Sequence, residues 1–555
     1  MSSLSSDESL NSKDSNKFSK YSVKVYEFLN IESKGIHRYL PEERHPVGSI
    51  RPYFTACLLW VSGCGGLTSM SSFFFGPLLF NLPLKDALST GLTGTLFGCL
   101  IAAYCSMMGP MSGLRQMCSA RYLFGPWVRV VALITVVGFW GWSITNCVLG
   151  GEILQGFGVN LLVGVAIVGI VSCLIAVLGI GCVMKFEGAL GVTVIIVVCC
   201  FWGMVGKEIG RNYDVPNLAV GEVLMSGKIS FFTLAYSVTA TWGGCAGDYY
   251  VVFGEVSQWA IFVFTFFSIA IPTVFGGALG IMVGYTALGY DQWGNAYAEG
   301  SLGGLLNTIF DKWGNFGKFL LIVFWLSLVT NNVINTYSSS LAVQLLDPLC
   351  YKYLPRWLIS FIIGAITLVC SMVGKDHFSA ILSNFLPMLG YWISIYFTLL
   401  FEENVIFRST RLVKLFKAEL YGIDIDGNRI EDIDETGVRV EKSNGLDKAG
   451  EYSISGGSLS STAGVYPPPL ATTKSVPYYN FDAWDNASVQ TRGFASSIAF
   501  CCGVAGAVVG MSQVYFIGPI SKLAADADLG TFLSIGFTAV SYPVLRYIEL
   551  KKFGR

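Results

Sequence analysis

Long apolar stretches joined by short polar connections fill most of the chain. About 20 apolar residues cross the ~30 Å of hydrocarbon in a bilayer. By that measure the sequence predicts twelve spans, near 54–80, 86–108, 128–155, 160–182, 188–206, 229–247, 259–288, 316–343, 357–374, 378–401, 494–514 and 530–547. The pattern is that of an all-α polytopic membrane protein. The first stretch is too long for one straight crossing and is rich in Gly and Ser at its centre.

Two regions fall outside the pattern. Residues 1–53 form a polar, Ser-rich tail of mixed charge with no h-region or cleavage site, so the first span is expected to act as its own insertion signal. Residues 402–493 open with a basic, helix-compatible segment from Arg408 to Lys417 and then turn acidic (Asp424, Asp426, Glu431, Asp432). The stretch ends Ser/Gly/Pro-rich, with a Pro467-Pro468-Pro469 run, and reads as a mostly disordered cytoplasmic loop. Its Ser cluster at 453–461 offers phosphorylation sites or is simply a solvated linker. The rest divides into a five-helix unit over 54–206, a second over 229–401, and a final helix pair with a short tail over 494–555.

Lys and Arg in the short connections set the orientation. With the N-terminus inside, the inner side holds Arg115, Arg121, Arg129, Lys185, Lys352, Arg356, Arg408, Arg411, Lys414, Lys417, Arg546, Lys551, Lys552 and Arg555. The outer side holds Lys85, Lys207, Arg211, Lys228, Lys312, Lys318, Lys375 and Lys522. Both termini are therefore expected in the cytoplasm, and Arg115 and Arg121 fit contact with anionic lipid, or gating.

Composition narrows the class further. Only 13% of residues are charged, about half the usual share for a soluble protein, and mean hydropathy is +0.57. The net charge of −1 gives no electrostatic reason to expect nucleic acid as a partner. Most of the 15 Cys lie inside apolar runs, where they act as small hydrophobes, and with three scattered His no metal site is expected. No phosphate-binding G-x-x-x-x-G-K-[ST] loop and no H-E-x-x-H occurs, which argues against an ATP-driven pump and a metalloprotease. No cofactor is implied. A secondary transporter, a channel or a receptor remains.

Two glycine-rich interruptions favour a transporter. Span one carries Gly63-Cys64-Gly65-Gly66 followed by Thr68-Ser69-Met70-Ser71-Ser72; span six carries Thr241-Trp242-Gly243-Gly244-Cys245. Each Gly weakens a helix by about 1 kcal/mol relative to Ala. Freed backbone groups at membrane depth must then face a wet cavity or a ligand. Intramembrane glycines also serve close packing, as Gly94-x-x-x-Gly98 and Gly506-x-x-x-Gly510 are expected to do. Because the two breaks lie five spans apart, they point to an inverted five-plus-five repeat with a midplane site.

These motifs resemble those of the purine–cytosine permease branch of the nucleobase–cation symporters. The likeness rests on Gly113-Leu114-Arg115-Gln116-Met117, Arg121-Tyr122-Leu123-Phe124-Gly125, Trp142-Ser143-Ile144-Thr145-Asn146, Thr241-Trp242 through Asp248-Tyr249, Asn331-Asn332-Val333-Ile334-Asn335 and Gly390-Tyr391 through Tyr396. The first third is similar to the fungal vitamin B6 transporters in Gly65-Gly66-Leu67-Thr68-Ser69, Gly76-Pro77-Leu78-Leu79-Phe80 and Gly150-Gly151-Glu152. The resemblance implies a LeuT-like fold and cation-coupled import, usually with a proton. In sodium-coupled relatives span eight supplies adjacent Ser-Thr hydroxyls; here Ser327-Leu328 lacks one of them, which favours the proton.

The expected function is uptake of vitamin B6 across the plasma membrane by alternating access. The alternatives are a purine/cytosine permease and a non-transporting nutrient receptor. Either substrate is a small flat heteroaromatic ring, which needs an aromatic face to stack on and polar groups to read its edge. The resemblance assigns stacking to Trp142 and Trp242, although an intramembrane Trp is more commonly an interface anchor. Asn146 shares a helix face with Trp142. Asn331, Asn332 and Asn335 place three amides on one apolar helix, where they serve the site or interhelical bonding. Gly65, Gly66 and Gly243 complete the expected substrate site. Glu152, late in span three, and Asp248, at the inner end of span six, are the expected proton carriers. Glu187 and the Glu402-Glu403 pair lie near cytoplasmic ends.

Overall fold

The computed structural model describes residues 34–555 apart from 179, 212, 255, 377, 410, 418–478 and 482. The N-terminal tail to residue 33 and the acidic and Ser-rich parts of the long loop, including 453–461, lie outside the described residues.

Helices dominate the described chain. They are α1 (Arg51–Gly65), α2 (Leu67–Phe73), α3 (Leu84–Ser106), α4 (Val128–Gln155), α5 (Leu161–Val177), α6 (Ile180–Ile209) and α7 (Gly221–Ala240). There follow α8 (Gln258–Gly289), α9 (Asp291–Asp311), α10 (Gly314–Val343), α11 (Arg356–Gly374), α12 (Phe378–Glu402), α13 (Phe494–Gly510) and α14 (Gly530–Phe553). A two-stranded hairpin, β1 (Ser512–Gln513) and β2 (Phe516–Ile517), joins the last two helices.

Among the described residues eight helices are long and apolar enough to cross a bilayer, nine when α1 and its continuation through Leu78 count as one bent span. The other three expected spans are present as helices. Of these, α5 and α13 have 17 residues each, and α14 is interrupted by polar positions. Apolar side chains on the outer faces of α5 and α11 are exposed, among them Val163, Ile170, Leu174, Phe361 and Val369. In water such faces would be unfavourable; in lipid they need no cover.

Small residues set the closest helix contacts. Side chains at Gly94 and Gly98 of α3 would meet the backbone of α7, with a Cβ 2.6 Å from the Phe232 carbonyl oxygen and 2.3 Å from that of Tyr236. Gly506 and Gly510 let α13 lie against α14 in the same way. The 14 cysteines whose side chains are described are all free.

Charge is buried at one end of the bundle. Glu403, just past α12, accepts from Arg408 Nε (2.9 Å), Arg546 Nη2 (2.9 Å), Arg546 Nε (3.0 Å) and the Tyr542 hydroxyl (2.8 Å). This network ties the end of α12 to α14, so Glu403 is occupied structurally. At the same end residues 34–48 lie across the helix termini. Arg38 donates to the Ser112 carbonyl, Arg44 to that of Pro110, and the His45 N–H to that of Val252. Arg115 is 1% exposed, wedged between the Asp248 carbonyl and the rings of Tyr39 and Tyr337. The lipid-contact expectation for Arg115 is therefore corrected: its charge is held inside the protein.

Candidate functional site

The site begins with two discontinuities. Helix α1 stops at Gly65, Gly66 is extended (φ −88°, ψ −170°), and α2 restarts at Leu67 with a bend of 41°. A Cβ on Gly66 would fall 2.4 Å from Ser327 Cβ of α10, so only glycine fits there. The approach is productive: Ser327 Oγ accepts the Leu67 N–H at 2.9 Å and satisfies a donor the break leaves free. The second discontinuity follows α7. From Thr241 to Gly244 and again from Ala246 to Tyr249 the chain tightens into short 3-10 turns.

Between these breaks lies a pocket with about 260 Å³ of empty space, its open side included, lined by Thr68, Ser69, Phe139, Trp142, Val238, Thr241, Trp242, Asn331 and Asn335. Trp142 and Trp242 are 7% and 6% exposed, so both indoles are buried within the bundle. Trp242 is braced edge-on by Trp60 of α1, with centroids 5.5 Å apart.

Four asparagines form one hydrogen-bonded cluster at the cavity edge. Asn146 Nδ2 donates to Asn331 Oδ1 (3.0 Å) and Asn332 Oδ1 (2.8 Å), and Asn335 Nδ2 donates to Asn331 Oδ1 (3.0 Å). Asn331 Nδ2 then reaches the Gly63 carbonyl at 3.1 Å, just before the break. Asn332 turns to the Ser143 carbonyl (3.3 Å) and the Cys147 sulfur (3.3 Å). Only Asn331 and Asn335 line the cavity; Asn146 and Asn332 stand behind them and fix their orientation. These mutual bonds hold the amides that face the cavity in one orientation, which suits the reading of a ring edge.

The expected glycines do not line the chamber. Gly65 packs on Pro272 of α8 and Gly243 on Cys105 and Ile393, while Gly66 makes room for Ser327. Thr68 and Ser69 form the wall instead. The Thr68 hydroxyl is buried with no hydrogen-bond partner among the described residues, which leaves it for a ligand. Phe139, outside the expected set, also lines the pocket; it sits three residues before Trp142 on the same helix face.

The acidic residues are dispersed. Glu152 lies about 15 Å along α4 from Trp142 by helical rise; its Oε2 accepts the Gly303 N–H of α9 at 3.2 Å. Asp248 Oδ1 accepts the Gln116 N–H at 2.6 Å, and Gln116 Oε1 accepts that of Gly247 at 3.0 Å. Neither carboxylate lines the chamber. Glu187 of α6 is fully buried, has no hydrogen-bond partner among the described residues, and faces Ser62 of α1. No group of His, Cys, Asp or Glu suited to a metal ion occurs among the described residues.

Comparison with known proteins places this geometry in a family. Residues 47–414 match the model of permeases for cytosine/purines, uracil, thiamine and allantoin. The chain belongs to this family of permeases. It is a membrane transporter and not an enzyme. It is 40% identical over 551 residues to a vitamin B6 transporter of Saccharomyces cerevisiae, covering 96% of this chain and 90% of the relative. It is 27% identical to a purine-cytosine permease of Emericella nidulans, covering 95% and 90%. Its fold is that of Mhp1, a nucleobase-cation-symport-1 family transporter solved in a closed conformation with bromovinylhydantoin bound (TM-score 0.58, 12% identity, 95% of this chain and 97% of that one).

Proposed function

We propose that this permease imports vitamin B6, pyridoxine and related vitamers, across the plasma membrane in symport with protons. The reading is supported by the pocket beside the bend at Gly66 and the 3-10 turns after α7, walled by Trp142 and Trp242 and edged by Asn331, Asn335 and Thr68. A planar pyridine ring sandwiched there gains stacking on both indoles. Its hydroxyls and ring nitrogen meet amides that both donate and accept. The 40% identity to a vitamin B6 transporter supports that choice of ring. The nucleobase alternative draws on the family description and the purine-cytosine relative.

The reading carries twelve spans, both termini in the cytoplasm, and two five-helix inverted repeats whose first helices are the broken ones. The substrate site consists of Trp142, Trp242, Asn331 and Asn335. Asn146 and Asn332 hold the amides, and Gly65, Gly66 and Gly243 allow the breaks. Glu152 and Asp248 act as proton-sensitive locks, since each holds a backbone N–H of an adjoining element. Protonating either carboxylate weakens a charge-assisted bond and loosens that element.

The deciding measurement is uptake in cells that lack their own importers, with labelled pyridoxine competed by cytosine and labelled cytosine by pyridoxine. Saturable pyridoxine uptake, stimulated by external acid and poorly inhibited by cytosine, is expected. Saturable cytosine uptake that pyridoxine fails to inhibit would overturn the substrate choice. Binding without any accumulation would point to a receptor.

A further inference from the structure

A second pocket, with about 220 Å³ of empty space including its open side, abuts the first. It is lined by Thr135, Gly138, Phe139, Trp142, Thr241, Gly244, Leu389 and Trp392, so Phe139, Trp142 and Thr241 wall both chambers. Its position relative to the first can be read along two elements. On α4 the lining extends from Phe139 back to Gly138 and Thr135, toward the Val128 end. After α7 it moves on from Trp242 to Gly244, toward Asp248. Both displacements run the same way, to the end of the bundle where Arg115 and Asp248 meet under residues 34–48.

The chemistry of this second chamber repeats the first in weaker form. Trp392 of α12 supplies an indole that is 8% exposed. Two glycines border it: a Cβ on Gly244 would lie 3.5 Å from Trp392 Cζ2, and one on Gly138 4.0 Å from its Nε1. Side chains at either position would extend into the slot beside the indole. Trp142 stands at the shared wall, so the slot lies between two indoles, as the first chamber does. Its free polar groups are fewer. They are the Trp392 N–H and the Thr241 hydroxyl, while Thr135 Oγ1 already donates to the Val131 carbonyl. No asparagine reaches it.

We propose that this slot is a second binding position for the transported planar heteroaromatic ring, one step inward of the first and weaker, with Trp392 as its stacking face. The inference rests on the transport reading above. A ring leaving Asn331 and Asn335 keeps contact with Trp142 and Thr241 while its other face passes to Trp392. The handover avoids exposing a desolvated ring to an apolar passage with no partner. A weaker inward position also suits release, because it reads the ring edge with one hydroxyl and one indole N–H in place of two amides.

Equilibrium binding of labelled pyridoxine to the purified full chain tests this. The unaltered chain should show two classes of site. Trp392→Ala, which removes the stacking partner, and Gly244→Val, which fills the slot beside it, should each weaken the lower-affinity class by up to about tenfold. Both should leave the tight class within about twofold, and Trp392→Phe should retain both classes. Asn335→Ala should instead weaken the tight class. A single class in the unaltered chain up to the solubility limit of the ligand would overturn the proposal. So would loss of the tight class together with the weak one in Trp392→Ala. A chain that binds cytosine but no pyridoxine would fail the substrate assignment alone, and the same two-class comparison on labelled cytosine then decides the slot.

Discussion

Ser327 Oγ caps the half-helix that begins at Leu67, across 2.9 Å, and the contact exists because Gly66 has no side chain to occupy the gap. The cap joins α10 to the broken first span at the level of the chamber. Ser327→Ala should cost about 1 kcal/mol, the usual loss for an N-cap, read as a lower unfolding temperature in detergent. Gly66→Ala should cost more, because its Cβ overlaps Ser327 Cβ. Combining Gly66→Ala with Ser327→Gly should be less damaging than the sum of the two single changes, since the second removes the overlap. Strict additivity would show that the contact carries no strain.

Trp142 and Trp242 are argued to sandwich the ring. Trp142→Ala and Trp242→Ala should each raise the apparent KM for uptake by about two- to tenfold or more, in line with ~0.5–1.5 kcal/mol per aromatic pair beyond area burial. Phe at either position should restore most of the affinity. The two positions differ in support: Trp242 leans edge-on against Trp60, so Trp60→Ala should loosen it and raise KM without touching the ligand. Unchanged KM in both alanine variants would remove the sandwich.

The residues that hold the site were legible in the sequence to the extent that chemistry alone demands them. Tandem glycines followed by hydroxyls marked the break at Gly66, and three amides on an otherwise apolar helix marked α10. The division of labour among the asparagines was not legible. Asn146, Asn331, Asn332 and Asn335 look alike in one dimension, and only the crossing of α4 and α10 decides that Asn331 and Asn335 face the chamber. The same holds for Arg115. Connection charge counted it among the residues at one membrane face, but its burial follows from tertiary contact with Asp248 and two tyrosine rings. Trp392 carried no local signal beyond its motif; its role emerges because Gly138 and Gly244, on two other elements, leave the space beside it open.

Glu152 is the proposed lock at the Gly303 end of the bundle. Its Oε2 holds the Gly303 N–H, and Glu152→Gln keeps an oxygen acceptor while removing the charge and the titration. Concentrative uptake driven by a proton gradient should be lost in this variant. Exchange of internal for external substrate, which needs no net proton movement, should persist. Proteoliposomes with and without an imposed pH gradient separate the two. Accumulation equal to that of the unaltered chain would remove Glu152 from the coupling.

Asp528, in the link between the β-hairpin and α14, gives a pH dependence of a different kind. Its carboxylate accepts the Tyr391 hydroxyl through both oxygens (2.7 and 2.6 Å), together with Gln513 Nε2 at 3.3 Å and the Gly530 N–H at 3.0 Å. Burial nevertheless dominates and pushes the group up to about 7 from 3.8. A carboxyl that holds its proton more tightly folded than unfolded adds stability in full below the unfolded value, and that stability is lost as pH rises through the folded one. The unfolding temperature of the purified chain should therefore fall between about pH 4 and pH 7 by more than other groups explain, with the decline levelling off above that range. Asp528→Asn keeps an acceptor for Tyr391 but cannot titrate, so it should flatten this slope and stabilise the chain at pH 8 relative to the unaltered protein. A slope identical in the two proteins would show that Asp528 stays charged across the range, with the tyrosine and backbone bonds outweighing its burial.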